Sequence, residues 1–528
     1  MERVELPHHK SKVIDYTARG TYNIRNLLEH WVTLHPQKTF LFSESDRRQF
    51  RYAAFDEQVN RTGNLLLRLG VKKGAAVSLL LPNGPEYLFF YFACWKIGAL
   101  AGPVNYLLKS REIEFVVGHS EAVALVTDED GWWRVKPIRG RLRRLGSVVL
   151  TDRRVEGTVH YPEALESEAS TLGETPIEPD DEAMIIYTSG TTGRPKGCLL
   201  THRNLLANAR QISDWLQFGQ DDRLLCVMPL FHMNAVAVTT MTPLYVGAGM
   251  VITRKFSASR HWRIVSDCGV TSFGSVATML SLLLQAHPEG IPRDCDTSRL
   301  RFAMCGSAPV PVEVMKRFEE RFGCPVIEGY GLSESTCRST FNPPDERRRP
   351  GSVGLPIGNE MRIVDENDWE VANGVTGEIV LRGENIMKGY LKNPEATAQA
   401  FRGGWFHTSD IGYRDADGFY YVIDRKSDMI IRGGENIYPR EIDEVLYRHP
   451  RIRDAATIGV PDPLYGEEVK AFVVLKEGES CTEKEILDHC RASLADFKCP
   501  KSVEFLPEIP KGPTGKLLRR ELAGRRRV

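Results

Sequence analysis

Short apolar runs alternate with amphipathic stretches over most of the chain. Ile24, Leu27, Leu28, Trp31 and Leu34 recur at helical spacing and predict an amphipathic opening helix. Ala75–Leu81 is an apolar run closed by Pro82-Asn83-Gly84-Pro85, which reads as a strand and its turn. A helix over Glu86–Ile97 follows, then a strand near Ala101–Val104. Comparable runs lie at Ala122–Val126, Ser147–Leu150, Ala183–Tyr187, Leu224–Met228, Gly249–Ile252 and Leu300–Met304. Strands separated by helices predict an α/β fold, with mostly parallel sheets wrapped by helices on both faces. In such folds ligands bind beyond the carboxyl ends of the strands. The pattern changes after the strand Phe419–Ile423, where Asp424-Arg425-Lys426-Ser427-Asp428 is polar and charged. Beyond it come a helix over Pro439–Tyr447, strands at Ala455–Val460 and Val469–Leu475, and a helix over Glu483–Leu494. About 100 residues suffice for a small α+β domain with its own core. The organisation predicted is a large domain over 1–423, a hinge at 424–428, and a small, mobile C-terminal domain over 429–528.

Composition narrows the class. The 528 residues are 42% hydrophobic and 26% charged, ordinary values for a globular protein and enough for two or three domains. Net charge is zero, so no global field recruits nucleic acid or an acidic membrane. The basic tail, Arg519, Arg520 and Arg525–Arg527, reads as a solvated terminus. Met233–Ile252 is uncharged for twenty residues, nominally a membrane span. Pro243, Gly247 and Gly249 break it, and Thr239, Thr240 and Thr242 dilute it, so a buried helix followed by a buried strand is the expectation. Tyr87–Trp95 is apolar but too short to span. Eleven cysteines carry no C-x-x-C pair and no Cys/His metal spacing, and no signal peptide opens the chain. A reduced cytoplasm is the compartment this implies. Cys198 and Cys305 read as small packed residues.

The densest chemistry is Tyr187-Thr188-Ser189-Gly190-Thr191-Thr192-Gly193-Arg194-Pro195-Lys196-Gly197. A strand that empties into hydroxyls, glycines and cations offers backbone N–H groups and a lysine to one polyphosphate. A flexible surface loop is the bland alternative, and the Walker spacing is absent. Further segments follow in order. Met228-Pro229-Leu230-Phe231-His232-Met233 puts an aromatic and a histidine after a strand, where a lone histidine is more often structural. Gly306-Ser307-Ala308-Pro309 is a small-residue turn after Leu300–Met304. Glu328-Gly329-Tyr330-Gly331-Leu332-Ser333-Glu334 offers a ring, a hydroxyl and a carboxylate, and Trp405-Phe406-His407-Thr408-Ser409-Asp410 offers another carboxylate. Each is weak alone; the ordered set is strong.

In that order the segments resemble the acyl-adenylate-forming (AMP-binding) superfamily over essentially the whole chain, on its acyl-CoA synthetase branch. Lys255-Phe256-Ser257-Ala258 with Trp262, and Arg425–Asn436, look most like crotonobetaine/carnitine-type and medium-chain acyl-CoA ligases. The resemblance implies roles. Thr188, Ser189, Gly190, Thr191, Thr192, Gly193 and Lys196 would hold the β- and γ-phosphates of ATP. Gly306, Ser307, Ala308 and Tyr330, with Gly331, would sandwich the adenine, and Ser333 would touch the α-phosphate. Glu334, with Thr188, would bind Mg²⁺, and Asp410 and Arg425 would hold the ribose. His232 would line and gate the acyl site, together with Phe231, Phe273–Ala277, Cys305 and Ser335–Cys337. Gly433-Gly434-Glu435-Asn436 resembles the loop that swings in for the thioester step, and Pro510–Lys516 the lysine loop, making Lys516 the adenylation lysine. Three positions depart from the family pattern. Ser333 replaces threonine and keeps its hydroxyl, Ser409 replaces the glycine before the ribose aspartate, and Lys426-Ser427 stands where relatives place Asp or Lys.

The chemistry implied is activation of a small-molecule carboxylic acid as acyl-AMP with release of pyrophosphate, then displacement of AMP by a thiol. Attack of one anion on another sets an electrostatic barrier, which a lysine, a metal and fixed N–H groups lower. One site serving two reactions fits a mobile small domain. Nothing after Lys516 resembles a carrier domain, so coenzyme A is the expected co-substrate. Loading of a separate carrier protein is the alternative, and a catalytically silent nucleotide-binding sensor the non-enzyme one; the intact Glu334 and Lys516 speak against the latter. No nucleic-acid partner is expected, and a homodimer stays open.

Overall fold

The apolar runs become the central strands of two large sheets. The computed structural model describes residues 23–188, 195–307, 310–426, 428–433, 435–512 and 517–523. Strands Gly249–Ile252, Arg223–Cys226, Ser272–Ser275, Phe302–Cys305 and Val326–Glu328 run parallel in a seven-stranded sheet. Strands Ala76–Leu80, Leu100–Pro103, Ala124–Thr127, Ser147–Leu150 and Glu182–Thr188 form the parallel part of an eight-stranded sheet. One core spans both sheets, with Leu41, Met250 and Leu224 from the first and Val77, Ala101 and Met184 from the second. Apart from Glu86 in its first turn, every residue of the helix Pro85–Lys96 is buried, the placement an almost wholly apolar helix requires. Lys96, 1% exposed, ends it in an ion pair with Asp56 at 2.7 Å.

Two features lie outside the parallel pattern. The strand Lys196–Thr201 returns antiparallel beside Glu182–Thr188 within the larger sheet, with Thr188 opposite Lys196. A separate four-stranded sheet is wholly antiparallel, formed by Glu360–Val364, Gly377–Arg382, Phe406–Arg414 and Tyr420–Arg425. The uncharged stretch Met233–Ile252 holds a buried π-helix, Asn234–Met241, a short α-helix, Thr242–Tyr245, and the strand Gly249–Ile252. Thr240 and Thr242 hydroxyls donate to carbonyls five residues back, Ala235 at 2.9 Å and Ala237 at 2.8 Å, so the threonines that dilute the apolar run serve the wider helix. Among the described residues no helix is long and apolar enough to cross a membrane.

The C-terminal part has its own five-stranded sheet and two cores of its own. The helix Pro439–Tyr447 packs Ile442, Val445 and Leu446 into the first of these. It also abuts the four-stranded sheet, where the Arg440 amide donates to Asp424 Oδ2 at 3.0 Å.

Candidate active site

Two polar clusters form where strands end. Thr188 and Lys196 face each other across the antiparallel hairpin; residues 189–194 between them lie outside the described residues. Thr188 Oγ1 donates to Glu334 Oε1 at 3.4 Å, and the Tyr390 hydroxyl donates to the same oxygen at 3.1 Å. Lys196 Nζ stands 4.9 Å from the centroid of the Tyr390 ring. Burial, then the Glu334 charge, pushes the Tyr390 phenol up, so its proton stays in place to donate to the carboxylate. Glu334 sits in the 3₁₀ turn Ser333–Ser335, and its carbonyl accepts from the Met387 amide at 2.8 Å. The Ser333 carbonyl faces Cys198 Sγ at 3.7 Å.

Glu334 and Thr188 thus bring hard oxygens to one point, a donor set suited to Mg²⁺, which takes few protein ligands and keeps phosphate and water oxygens around it. Among the described residues no group of three or more His, Cys, Asp or Glu side chains is arranged to hold a metal ion.

The second cluster joins Tyr330, Asp410 and Arg425. The Tyr330 hydroxyl donates to Asp410 Oδ2 at 2.6 Å, and Arg425 Nε pairs with Oδ1 at 3.2 Å. Asp410 and Arg425 are cross-strand partners. Asp410 is buried while the Arg425 side chain is 41% exposed, which leaves the guanidinium free to meet a ligand. The strand carrying Asp410 bulges: its register against Gly377–Arg382 slips beside Glu378, and Ser409 takes φ +60°. The Ser409 amide turns to Glu378 Oε1 and the Asp410 amide to Thr408 Oγ1, both at 3.0 Å. The bulge re-aims Asp410 toward Tyr330, as bulges beside functional sites do.

Between the clusters the backbone is tightly packed. A Cβ on Gly331 would come within 1.9 Å of the Cys337 carbonyl oxygen, and one on Gly306 within 2.2 Å of Arg338 Nη1. His232 follows the strand Arg223–Cys226 with its ring 4.5 Å from that of Phe231. Burial lowers its pKa to about 4, so the imidazole is neutral, and Nε2 is buried without a partner. A cavity of about 1040 Å³ opens between the two parts of the chain. Ser307, Tyr330, Asp410 and Arg425 line one wall; Arg440, Lys511, Gly512 and Leu517 line the other.

Residues 28–391 match the AMP-binding enzyme family, and residues 441–516 match the AMP-binding enzyme C-terminal domain. The chain belongs to this family. It is 38% identical to the sulfoacetate–CoA ligase of Cupriavidus necator over 492 residues, 92% of this chain and 94% of that protein. It is 34% identical to a crotonobetaine/carnitine–CoA ligase of Salmonella arizonae, with 95% and 99% of the two chains covered. Among solved structures, an anthranilate CoA ligase in complex with anthranoyl-AMP superposes with a TM-score of 0.88 at 30% identity, covering 95% of this chain and 96% of that one.

Of the residues the family resemblance singles out, the fold brings Thr188, Lys196 and Glu334 together, and separately Tyr330, Asp410 and Arg425. The Arg425 charge is held by Asp410 first and also feels Glu334, so the clusters are within electrostatic reach of each other. Gly306, Ser307, Gly331 and Ser333 lie on the turns between them. Gly433, at φ +58°, donates its amide to the Tyr465 carbonyl at 2.9 Å within the small domain. Ser189–Gly193, Ala308, Ser427, Gly434 and Lys516 lie outside the described residues; Gly512 and Leu517 on the cavity wall flank the segment that holds Lys516. Trp262 packs on Phe322, ring centroids 4.8 Å apart, in the core beneath the sheet.

Three residues of this region escape sequence reasoning. Tyr390 belongs to a two-residue strand paired with Lys196–Thr201, and nothing local marks it. Glu328 is 2% exposed, accepts from the Val310 amide at 3.2 Å, and leaves Oε2 unpartnered. Burial raises its pKa to about 7. Arg338 is 1% exposed; its one signal in the sequence is that it stands as a lone cation in Leu332–Phe341.

Proposed function

We infer that this AMP-binding enzyme activates a small carboxylic acid with ATP and passes the acyl group to coenzyme A. The reaction class is that of an AMP-forming acyl-CoA synthetase: the acid becomes acyl-AMP as pyrophosphate leaves, and the coenzyme A thiol then displaces AMP. The observation that supports the reading most is the pairing of the two clusters. Glu334, with Thr188, Tyr390 and Lys196 around it, suits a Mg²⁺-bearing polyphosphate. Asp410, tied to Tyr330 and Arg425, suits a ribose beside a stacked base. Mg²⁺ would be held by Glu334 and Thr188 and would supply charge neutralisation at the phosphates. Lys516 would stabilise the α-phosphate while the carboxylate oxygen attacks, and the Gly433–Asn436 loop would serve the thioester step. The pivot between the two arrangements would lie within 424–428. His232, neutral and buried, would line the acyl site. A short, polar acid is favoured over a long apolar one by the relative that acts on sulfoacetate, an acid with a sulfonate beside its carboxylate. Eleven free cysteines suit a reducing compartment such as the cytoplasm.

The test is to mix the protein with ATP, Mg²⁺ and coenzyme A and a panel of acids that includes sulfoacetate, propionate and octanoate. Release of pyrophosphate and AMP in step with thioester supports the reading. Formation of ADP and phosphate, or no pyrophosphate with any acid, overturns it.

A further inference from the structure

We propose that Arg338 recognises an anionic group on the acyl substrate, so that the acid activated here is short and carries a second carboxylate or a sulfonate. The inference rests on the acid–CoA ligase reading above.

Arg338 is 1% exposed, and an arginine side chain is never deprotonated in a protein. Its Nη1 donates to the Gly329 carbonyl at 3.1 Å, and its Cζ lies 5.2 Å from the Phe341 ring centroid. Nε and Nη2 are buried with no hydrogen-bond partner. Glu328, whose carboxyl feels the Arg338 charge, turns Oε1 to the Val310 amide and leaves Oε2 unpartnered. A cation closed off from water with three of its five N–H donors idle is costly unless an anion meets it. The backbone that carries it is fixed: its amide donates to Asn208 Oδ1 at 3.1 Å, and its carbonyl accepts from Asn208 Nδ2 at 2.6 Å and Asn385 Nδ2 at 3.4 Å.

Its neighbours locate the missing partner. The guanidinium packs on Gly306, where a Cβ would meet Nη1 at 2.2 Å. Gly306 follows the strand Phe302–Cys305, which pairs with Ser272–Ser275 so that Gly274 faces Met304 and Ser275 faces Cys305. Over Gly274 lies Asn234, whose Oδ1 would stand 2.8 Å from a Cβ there. Both amide atoms of Asn234, and His232 Nε2 two residues before, are likewise buried and unpaired. Idle polar atoms therefore lie over the ends of two adjacent strands, at Gly274 and at Gly306, the residue after Cys305. An alkyl tail entering there leaves all of them unsatisfied; a carboxylate or sulfonate takes the planar guanidinium through two parallel hydrogen bonds. Because the guanidinium touches the turn that opens with Gly306 and Ser307 on the nucleotide side, the second anion lies only a few bonds from the reacting carboxylate.

The experiment compares kcat/KM for sulfoacetate and malonate with that for propionate and octanoate, in wild type, Arg338→Leu and Arg338→Lys. Wild type should favour the dianions. Arg338→Leu should lower the dianion-to-monoanion ratio by about 100-fold or more, as expected when one partner of a buried charge pair is removed. Arg338→Lys should recover part of that ratio. Equal losses for all acids, with the ratio unchanged, would mean a structural arginine and overturn the proposal. As a second readout, independent of whether Arg338→Leu folds, malonate and sulfoacetate should raise the melting midpoint of the wild-type protein with AMP present, and propionate should not; the same shift with all three overturns it. Wild type that activates monocarboxylates but no dianion overturns this inference and leaves the ligase reading standing, whereas absence of pyrophosphate with every acid removes the reading itself.

Discussion

Ser409 stores backbone strain that a glycine would release. Its φ of +60° puts its Cβ against the following carbonyl, which costs an L-residue about 1–2 kcal/mol. Its side chain is exposed, so little packing opposes a change. Glycine adopts the same φ freely but adds freedom to the unfolded chain, at a cost of about 0.4–1 kcal/mol. The difference favours Ser409→Gly by about 1 kcal/mol. With an m-value of about 3 kcal/mol/M, the urea midpoint of the large-domain transition rises by about 0.3 M. Ser409→Ala is the control, since it removes the hydroxyl but keeps the Cβ, and its midpoint should not rise. Asp410 is aimed by the same bulge in both variants, so the KM for ATP should stay near that of wild type. Destabilisation by glycine, or an equal gain from alanine, would refute strain at this position as the quantity being measured.

Glu334→Gln removes one anionic oxygen from the Thr188–Tyr390 cluster and should slow turnover by about 10²–10³-fold with the fold intact; an undiminished adenylation rate at limiting Mg²⁺ would dismiss Glu334 as a ligand. Glu328 has a folded pKa of about 7 against 4.5 in the unfolded chain. Its proton-linked stability is therefore fully present below pH 4.5 and is lost as pH rises through 7. Glu328→Gln lacks that loss, so its stability relative to wild type should grow between pH 4.5 and 7 in urea titrations; a pH-independent difference would count against the buried carboxyl. Lys516→Ala should lose adenylation by at least about 10²-fold yet still convert supplied acyl-AMP and coenzyme A to thioester, and equal loss of both half-reactions would rule out a lysine that serves only the first.

The parallel cores were legible because their strands are apolar on both faces. Ser147–Leu150 and Gly249–Ile252 coincide with the runs read from the sequence. The antiparallel sheet was largely hidden. Glu360–Val364 buries Met361, Ile363 and Val364 but exposes Glu360, a pattern too short and mixed to stand out, and of this sheet the sequence points only to the opposite edge strand, Tyr420–Arg425, as Phe419–Ile423. The π-helix at Asn234–Met241 could not be told from an α-helix, since after Asn234 seven buried apolar and hydroxyl residues carry no periodicity. In the site, motif residues were recognisable because their types are chemically demanding: Asp410, Glu334 and Lys196 each stand in a run of small or polar neighbours. Tyr390 reaches Glu334 only through the pairing of its short strand with Lys196–Thr201, and the burial of Arg338 depends on the absent side chain of Gly306; neither is visible along the chain. Ser409 was visible as a departure from family pattern, while its left-handed backbone was not.

Oxygen transfer tests the central claim most directly. A carboxylate that attacks the α-phosphate leaves one of its own oxygens on AMP when the thiol of coenzyme A displaces the nucleotide. With an acid labelled with ¹⁸O in both carboxylate oxygens, mass spectrometry of the products should find one ¹⁸O in AMP, none in pyrophosphate, and the other in the thioester carbonyl. Label in inorganic phosphate together with ADP, or AMP free of label while thioester accumulates, would contradict an acyl-adenylate on the reaction path.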